Sequence, residues 1–288
     1  MTTRQWKLAR SSLAYGERTL VMGILNVTPD SFSDGGQFSS LDRAVTHAQQ
    51  MIDAGADVID VGGESTRPGS EFVSARQELD RVIPVIERLS SNTSIPISID
   101  TTKSAVARAA LTAGAEIVND VSGLRFDIAI ADEVARMGAG LVLMHSRGTP
   151  RDMQQLPRVA DIMSEVINGL RESIRVANQH GVANENIAID PGIGFGKTVA
   201  QNVELIAELD QLAREFSELP IVIGPSRKSF LGKLLDGAPA DKRLHGTIAS
   251  VVASVLKGAH IVRVHDVKPT VEAVKVADSI RMFVPPQK

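Results

Sequence analysis

A chain of 288 residues with 43% hydrophobic residues is ample for a full core. Its net charge of −3, with no basic stripe interleaved with aromatics, argues against nucleic acid or an anionic membrane as partner. The absence of cysteine excludes disulfides, thiolate nucleophiles and Cys-ligated metals and fits a cytoplasmic enzyme.

Residues 1–20 form a mixed polar lead-in without the apolar core of a signal peptide. Trp6, Leu8, Leu13 and Tyr15 in it predict a small hairpin plugging one end of a barrel. An apolar run at 19–26 stops at Asn26. The loop 27–40 is Gly-rich and long for a strand-to-helix connection, where about 2–6 residues is usual. Leu41, Ala44, Val45, Ala48, Met51 and Ile52 recur at helical spacing, and Gly55 ends that helix. The strand 57–61 leads into a second Gly/Pro-rich loop at 62–69. Ser74 with Gln77 predicts a capping box that opens the next helix.

Strand 95–100 ends on Asp100, and strand 116–120 ends on Asn119 and Asp120, with a short helix between them closed by Gly114. A helix near 127–137 precedes strand 140–145, which ends at His145. The longest helix is predicted over about 158–180. After strand 187–190 come a helix through Phe216, strand 219–224, a helix ending near Gly258, strand 261–265 and a last helix with Pro269 in its first turn. No run approaches the ~20 apolar residues of a membrane span. A helix–Gly–Ala–strand junction recurs at Gly55-Ala56, Gly114-Ala115 and Gly258-Ala259. Eight strands, apolar on both faces, alternate with eight helices, and no linker interrupts them. This predicts an α/β fold, a (β/α)8 TIM barrel as one domain over 1–288, rather than an open doubly wound sheet.

In such barrels the active site lies at the C-terminal ends of the strands. There the sequence places Asn26, Asp60, Asp100, Asn119, His145, Asp190, Ser226 to Lys228, Arg263 and His265. The stretch 187–197 is the most pointed: an apolar strand stops at Asp190, and Pro191, Gly192, Gly194 and Gly196 follow. Its spacing fits neither a P-loop nor the dinucleotide fingerprint. Asp100 and Asp190 suit general acid–base work, glycoside hydrolysis included, or plain ion pairing. Arg263 and His265 alternate with Val264, so both face one side, where a guanidinium beside an imidazole suits a phosphate. Asn26 offers a neutral oxygen suited to Mg2+. Lys228 suits a Schiff base, but Ser226, Arg227 and Ser229 around it favour anion recognition. His145 reads equally as a satisfied or a functional histidine, and His47 and His180 as solvated.

Seven stretches in order, 25–36, 56–69, 98–101, 118–123, 190–197, 226–230 and 263–266, resemble the signatures of the dihydropteroate synthase family. The resemblance covers nearly the whole chain. It implies condensation of a 7,8-dihydropterin-6-ylmethyl diphosphate with 4-aminobenzoate to 7,8-dihydropteroate and diphosphate, in a cytoplasmic homodimer where sulfonamides should compete for the aminobenzoate pocket. By the family pattern Thr66, Asp100, Asn119, Asp190, Lys228, Arg263 and His265 hold the pterin diphosphate, with Mg2+ on Asn26. Phe32, Thr66, Arg67, Pro68, Phe195, Lys228 and Ser229 shape the aminobenzoate pocket, and Asp34 joins the catalytic set on a closing loop. The rivals are a methyltetrahydrofolate:corrinoid methyltransferase, a non-catalytic pterin-binding protein and a Schiff-base aldolase.

Overall fold

The computed structural model describes residues 3–27, 37–65, 73–149 and 158–283, with side chains for all of these but 37–40. A hairpin of β1 (Arg4–Lys7) and β2 (Ser12–Tyr15) precedes the barrel strands. These are β3 (Leu20–Asn26), β4 (Val58–Gly62), β5 (Ile97–Asp100), β6 (Ile117–Asp120), β7 (Gly140–Met144), β8 (Ile187–Asp190), β9 (Val222–Ile223) and β10 (Ile261–Val264). All pair in parallel in the spatial order β8-β7-β6-β5-β4-β3-β10-β9, and a parallel bridge between Ile189 and Ile221 joins the two ends into a barrel. The predicted (β/α)8 architecture with its lead-in hairpin is therefore observed.

Ten helices are described where eight were expected: α1 (Gln37–Asp53), α2 (Ala75–Ser90), α3 (Ser104–Ala113), α4 (Ala129–Met137), α5 (Ile162–Gln179), α6 (Val199–Ala207), α7 (Leu209–Glu215), α8 (Ser229–Leu234), α9 (Leu244–Leu256) and α10 (Val267–Arg281). The helix expected between β8 and β9 breaks at Glu208 into α6 and α7. The stretch after β9 winds into the extra short helix α8. Helix α5 starts later than expected because the Asp161 carboxylate caps it, accepting from Ser164 N at 2.9 Å. Strand β9 shrinks to two residues because Pro220 cannot donate on one side and Gly224-Pro225 follows on the other.

The recurring Gly-Ala junction has a physical reason. Gly55, Gly114 and Gly258 adopt φ of 98°, 119° and 102°. That left-handed turn lets the next alanine donate back five residues: Ala56 to Met51, Ala115 to Ala110 and Ala259 to Ser254, at 3.0, 2.9 and 2.9 Å. Each buried alanine then starts the path to a strand. The expected capping box of α2 is present, and Thr198 with Gln201 forms a second one at α6.

Alternation along the strands sorts the barrel into layers. Val21, Ile59, Val61, Ile99, Val118, Leu141, Ile189 and Val262 point outward into the shell beneath the helices. Met22, Val58, Ile117, Val142, Ala188, Val222 and Ile261 point inward and form an apolar floor. Trp6, Leu8 and Tyr15 of the hairpin close that floor from below, as the sequence predicted. The Trp6 indole donates to the Asn186 carbonyl at 2.8 Å, and Tyr15 Oη donates to the Glu218 carbonyl at 2.9 Å. Glu116 fixes the hairpin turn, accepting from Arg10 N at 3.0 Å and Ser11 Oγ at 2.9 Å.

Truncating a fully buried tryptophan leaves a cavity that this floor cannot refill. Trp6→Ala is expected to lower the unfolding free energy by about 3–5 kcal/mol, measured by urea denaturation followed by circular dichroism. A loss under about 1 kcal/mol would show that the hairpin is not part of the core.

Candidate active site

Two residues beyond the apolar floor, the same inward rows turn polar. Asp60, Asn119, Asp190 and Arg263 follow Val58, Ile117, Ala188 and Ile261. Arg263 crosses the barrel: Nε donates to Asp60 Oδ2 at 2.6 Å and Nη2 to Asp100 Oδ2 at 2.6 Å. Asn119 Nδ2 donates to the same Asp60 oxygen at 3.1 Å. Burial opposes the charge on Arg263, but the two carboxylates outweigh it and raise its pKa. Burial also raises Asp100, to about 7; Arg263 offsets this only in part because Asp60 competes for the same guanidinium.

Asp190 is buried at the end of β8 and accepts from Gly192 N at 2.6 Å. Burial raises its pKa, with the Gly192 amide, Lys228 and Arg263 working the other way. The glycine loop beyond it needs its glycines. Gly192 and Gly196 have φ of 70° and 68°, and a Cβ on Gly192 would lie 1.8 Å from the His145 carbonyl oxygen. Beneath this loop the buried Lys197 ammonium donates to the carbonyls of His145, Gly192 and Phe195 at 3.1, 2.9 and 3.1 Å. Burial lowers its pKa to about 7. The loop thereby presents Phe195, which packs on Met144 and Val121. Lys228 Nζ lies 4.0 Å from the centre of the Phe195 ring.

Ser226 and His265 sit side by side, with Ser226 Oγ 2.9 Å from His265 Nδ1 and accepting from His265 N at 3.2 Å. Burial, then Arg263, Arg227 and Lys228, lower the His265 pKa to about 3, so the ring is neutral. Arg227, in the left-handed region at φ 56°, forms a two-pronged pair with Asp266 at 2.9 and 2.6 Å. Asn26 ends β3, and a Cβ on Gly62 would lie 3.7 Å from Asn26 Oδ1 and 3.9 Å from Asp100 Oδ2. Glycine at 62 thus leaves the space between these oxygens open. Among the described residues no group of three His, Asp or Glu can hold a metal ion.

The structure therefore brings Asp100, Asn119, Asp190, Lys228, Arg263 and His265 to one mouth, with Asn26 and Phe195 at its rim. Ser229 is exposed at the first turn of α8 on the same side. His145 stands apart: burial, then Lys197, Arg125 and Arg147, lower its pKa to about 2, and it stays neutral. Phe32, Asp34, Thr66, Arg67 and Pro68 lie outside the described residues. Residue reading alone gave no role to Asp60 or Lys197. A carboxylate inside the wholly apolar strand β4 was the available signal for Asp60. It also missed Glu64, whose carboxylate accepts from Val73 N at 3.0 Å and from Lys103 Nζ at 2.5 Å, with Lys103 reaching Glu78 at 2.6 Å. That cluster ties together the two ends of the 62–73 connection.

A barrel mouth that sets acids against an arginine–lysine–histidine belt is the architecture of enzymes that grip a nitrogen heterocycle with an anionic tail. The chain matches the pterin binding enzyme family over residues 22–265. Its similarity to a dihydropteroate synthase from Synechocystis is 48% identity over 92% of this chain and 91% of the relative. The Xanthomonas albilineans dihydropteroate synthase structure with 4-aminobenzoic acid superposes with a TM-score of 0.89, at 42% identity over 97% of this chain and all of that one. The Yersinia pestis dihydropteroate synthase structure with a sulfonamide drug gives 0.87, at 44% identity over 94% and 98%. The chain belongs to the dihydropteroate synthase family of pterin-binding enzymes.

Burial, with Arg263 shared between two carboxylates, raises the Asp100 pKa into a measurable range. A protonated-carboxyl infrared band absent from Asp100→Asn is expected to disappear as pH rises through about 7. An Asp100 band already lost below about pH 4, the ordinary carboxylate range, would show that Arg263 compensates both acids fully.

Proposed function

We propose that this chain condenses (7,8-dihydropterin-6-yl)methyl diphosphate with 4-aminobenzoate to give 7,8-dihydropteroate and diphosphate, a transferase step of folate synthesis. The observation that carries the reading is the division of the mouth: carboxylates and an amide on β5, β6 and β8, cations and a neutral histidine at β9 and β10. A pterin is a planar heterocycle with a guanidine-like edge, and a carboxylate accepts two of its N–H groups side by side. Asp190, fixed by the Gly192 amide, takes that edge. Asp100 and Asn119 meet other ring atoms, Lys228 donates to the ring oxygen, and Arg263 lies over the ring face.

The same Arg263 reaches the diphosphate together with His265. With the Ser226 hydroxyl assigned as donor to His265 Nδ1, Nε2 carries the ring hydrogen and donates to a phosphate oxygen. The bond between the methylene carbon and the diphosphate oxygen breaks, and the electron pair leaves with oxygen. The electron-rich pterin stabilises the methylene cation. The arylamine nitrogen attacks that carbon and then releases a proton. Fixed charges aimed at the departing group are often the largest catalytic contribution. No enzyme nucleophile takes part, in keeping with a chain that has no cysteine.

Phe195 and Lys228 form one wall for the aminobenzoate ring. By the family resemblance Ser229, Phe32, Thr66, Arg67 and Pro68 are assigned to the same pocket, where sulfonamides compete. By the same resemblance Thr66 is assigned to the pterin diphosphate and Asp34 to the catalytic set. Asn26 would help to hold Mg2+ beside the diphosphate, and the ion would supply charge neutralisation there. No described helix is long and apolar enough to cross a membrane, and we place the enzyme in the cytoplasm.

A homodimer is the quaternary state we favour. Val276, Ile280 and Phe283 on the α10 side are 61%, 59% and 70% exposed, and Leu256 of α9 is 43% exposed. A second copy burying this face would remove it from water. Ile280→Asp is expected to convert the sedimentation profile from dimer to monomer; an unchanged dimer would place the interface elsewhere.

The reaction is tested by mixing the purified protein with the pterin diphosphate, 4-aminobenzoate and Mg2+. Diphosphate and dihydropteroate are expected in equal amounts, and no release of either would sink the reading. Arg263→Ala is expected to lower kcat/KM for the pterin diphosphate by about tenfold to a hundredfold, the size of lost charge-assisted hydrogen bonds. Wild-type turnover in that variant would remove Arg263 from the diphosphate site. Borohydride is expected to trap nothing on Lys228, whereas an aldolase would leave a secondary amine there.

A further inference from the structure

We propose that Asp60 is a positioning residue acting through Arg263 and Asn119: it keeps hold of Arg263 Nε while Nη2 exchanges Asp100 for the substrate's diphosphate. This rests on the reaction proposed above and adds a residue that does not touch substrate.

One oxygen of Asp60 holds two site residues at once. Oδ2 accepts from Arg263 Nε at 2.6 Å and from Asn119 Nδ2 at 3.1 Å. An ionised carboxylate only accepts hydrogen bonds, so Asn119 has to turn its NH2 toward Asp60. That settles the direction of the amide. The Asn119 carbonyl oxygen and its second N–H are left for the mouth, an acceptor beside a donor. A ring edge with a donor beside an acceptor is the complement. With the amide reversed, its carbonyl oxygen would face the carboxylate oxygen and repel it.

Arg263 has two partners of unequal kind. Asp60 is fully buried inside the strand β4, below the rim. Asp100 ends β5, at the rim itself, where Gly62 keeps the space beside it open. Asp100 is therefore the partner that a ligand can reach and replace. When Asp100 turns to a ring N–H, the freed Nη2 faces an arriving diphosphate. Nε stays on Asp60, which holds the guanidinium plane in place throughout. The rearrangement swaps one charged hydrogen bond for another, so the cation is never left without a counter-ion in the low-dielectric interior.

The other Asp60 oxygen supports a functional reading. Among the described residues Oδ1 is buried with no hydrogen-bond partner, and so is Ser98 Oγ on the adjacent strand, the residue in register with Asp60. A buried carboxylate left half unsatisfied is a poor device for stability alone. Its bonded half serves the two residues that face the ligand.

Asp60→Asn tests the assignment, since the amide has nearly the same shape and loses only the charge. We expect kcat/KM for the pterin diphosphate to fall by at least about tenfold, with KM for 4-aminobenzoate unchanged. Without the competing carboxylate, Arg263 belongs to Asp100 alone, so the Asp100 infrared band should titrate at lower pH than in the wild type. Asp60→Glu, charged but longer, should restore the position of that titration without restoring the kinetics. Wild-type kinetics in Asp60→Asn, or a loss of thermal stability with kinetics and titration unmoved, would overturn the proposal. If Asp60→Asn fails to fold, crystals of the wild type with the pterin diphosphate decide it. Arg263 Nε still on Asp60 with Nη2 on phosphate supports the exchange, and Arg263 detached from Asp60 overturns it. A wild type without turnover would end the reaction proposal, while the infrared titration, which needs no substrate, would still read the Asp60 assignment.

Discussion

The structure depends on one guanidinium stretched between two acids. Arg263 starts on β10 and reaches Asp60 on β4 and Asp100 at the end of β5, passing over β3, which lies between β10 and β4 in the sheet. The curvature of the barrel sheet brings these neighbouring strands within one side chain's reach. Any slip in register along β3 would move Arg263 off both carboxylates and leave three charges buried without compensation, which costs far more than a surface pair could return. The fold and the site therefore constrain each other at this point. Burial, only partly offset by Arg263, raises the Asp100 pKa to about 7, and its place at the rim makes it the exchangeable partner.

Around that pair the barrel divides its labour by layer. Four strands that offer a polar residue near the rim carry an apolar one two positions earlier: Val58 below Asp60, Ile117 below Asn119, Ala188 below Asp190, Ile261 below Arg263. The floor and the hairpin beneath it supply packing without chemistry. The rim supplies chemistry on strand ends that the floor holds rigid. Loop residues then need only complete the pocket. Lys197 extends this logic to the one rim loop rich in glycine: its three carbonyl contacts replace the side-chain packing that Gly192, Gly194 and Gly196 cannot provide.

Much of this was legible from residue order. Apolar runs stopping at Asn26, Asp100, Asn119 and Asp190 placed those side chains at strand ends, because a parallel strand buried on both faces tolerates polarity only where it exits. The Gly-Ala junctions marked helix ends through the left-handed turn that glycine permits. The hairpin was readable from Trp6, Leu8, Leu13 and Tyr15 in an otherwise polar lead-in. What escaped was three-dimensional. No spacing relates Asp60 to Arg263, 203 residues away. Lys197 looked like the tail of a motif, since its partners are backbone carbonyls that carry no residue-type signal. The split at Glu208 and the extra helix α8 escaped because both flank the same shortened strand, whose apolar run at 219–224 looked longer than its two-residue ladder.

The floor hairpin also bears on how the chain is made. Its partners are late in the sequence: Trp6 bonds at Asn186, Lys7 pairs with Glu185, and Tyr15 and Arg4 meet Glu218. The hairpin is thus translated well before the segments it docks on, and it waits for them. Until β8 and the Glu218 turn have been made, Trp6 and Tyr15 lack the hydrogen-bond partners that hold them in the floor. The order of translation makes this hairpin late to be buried, and until then it offers a hydrophobic handle for a chaperone.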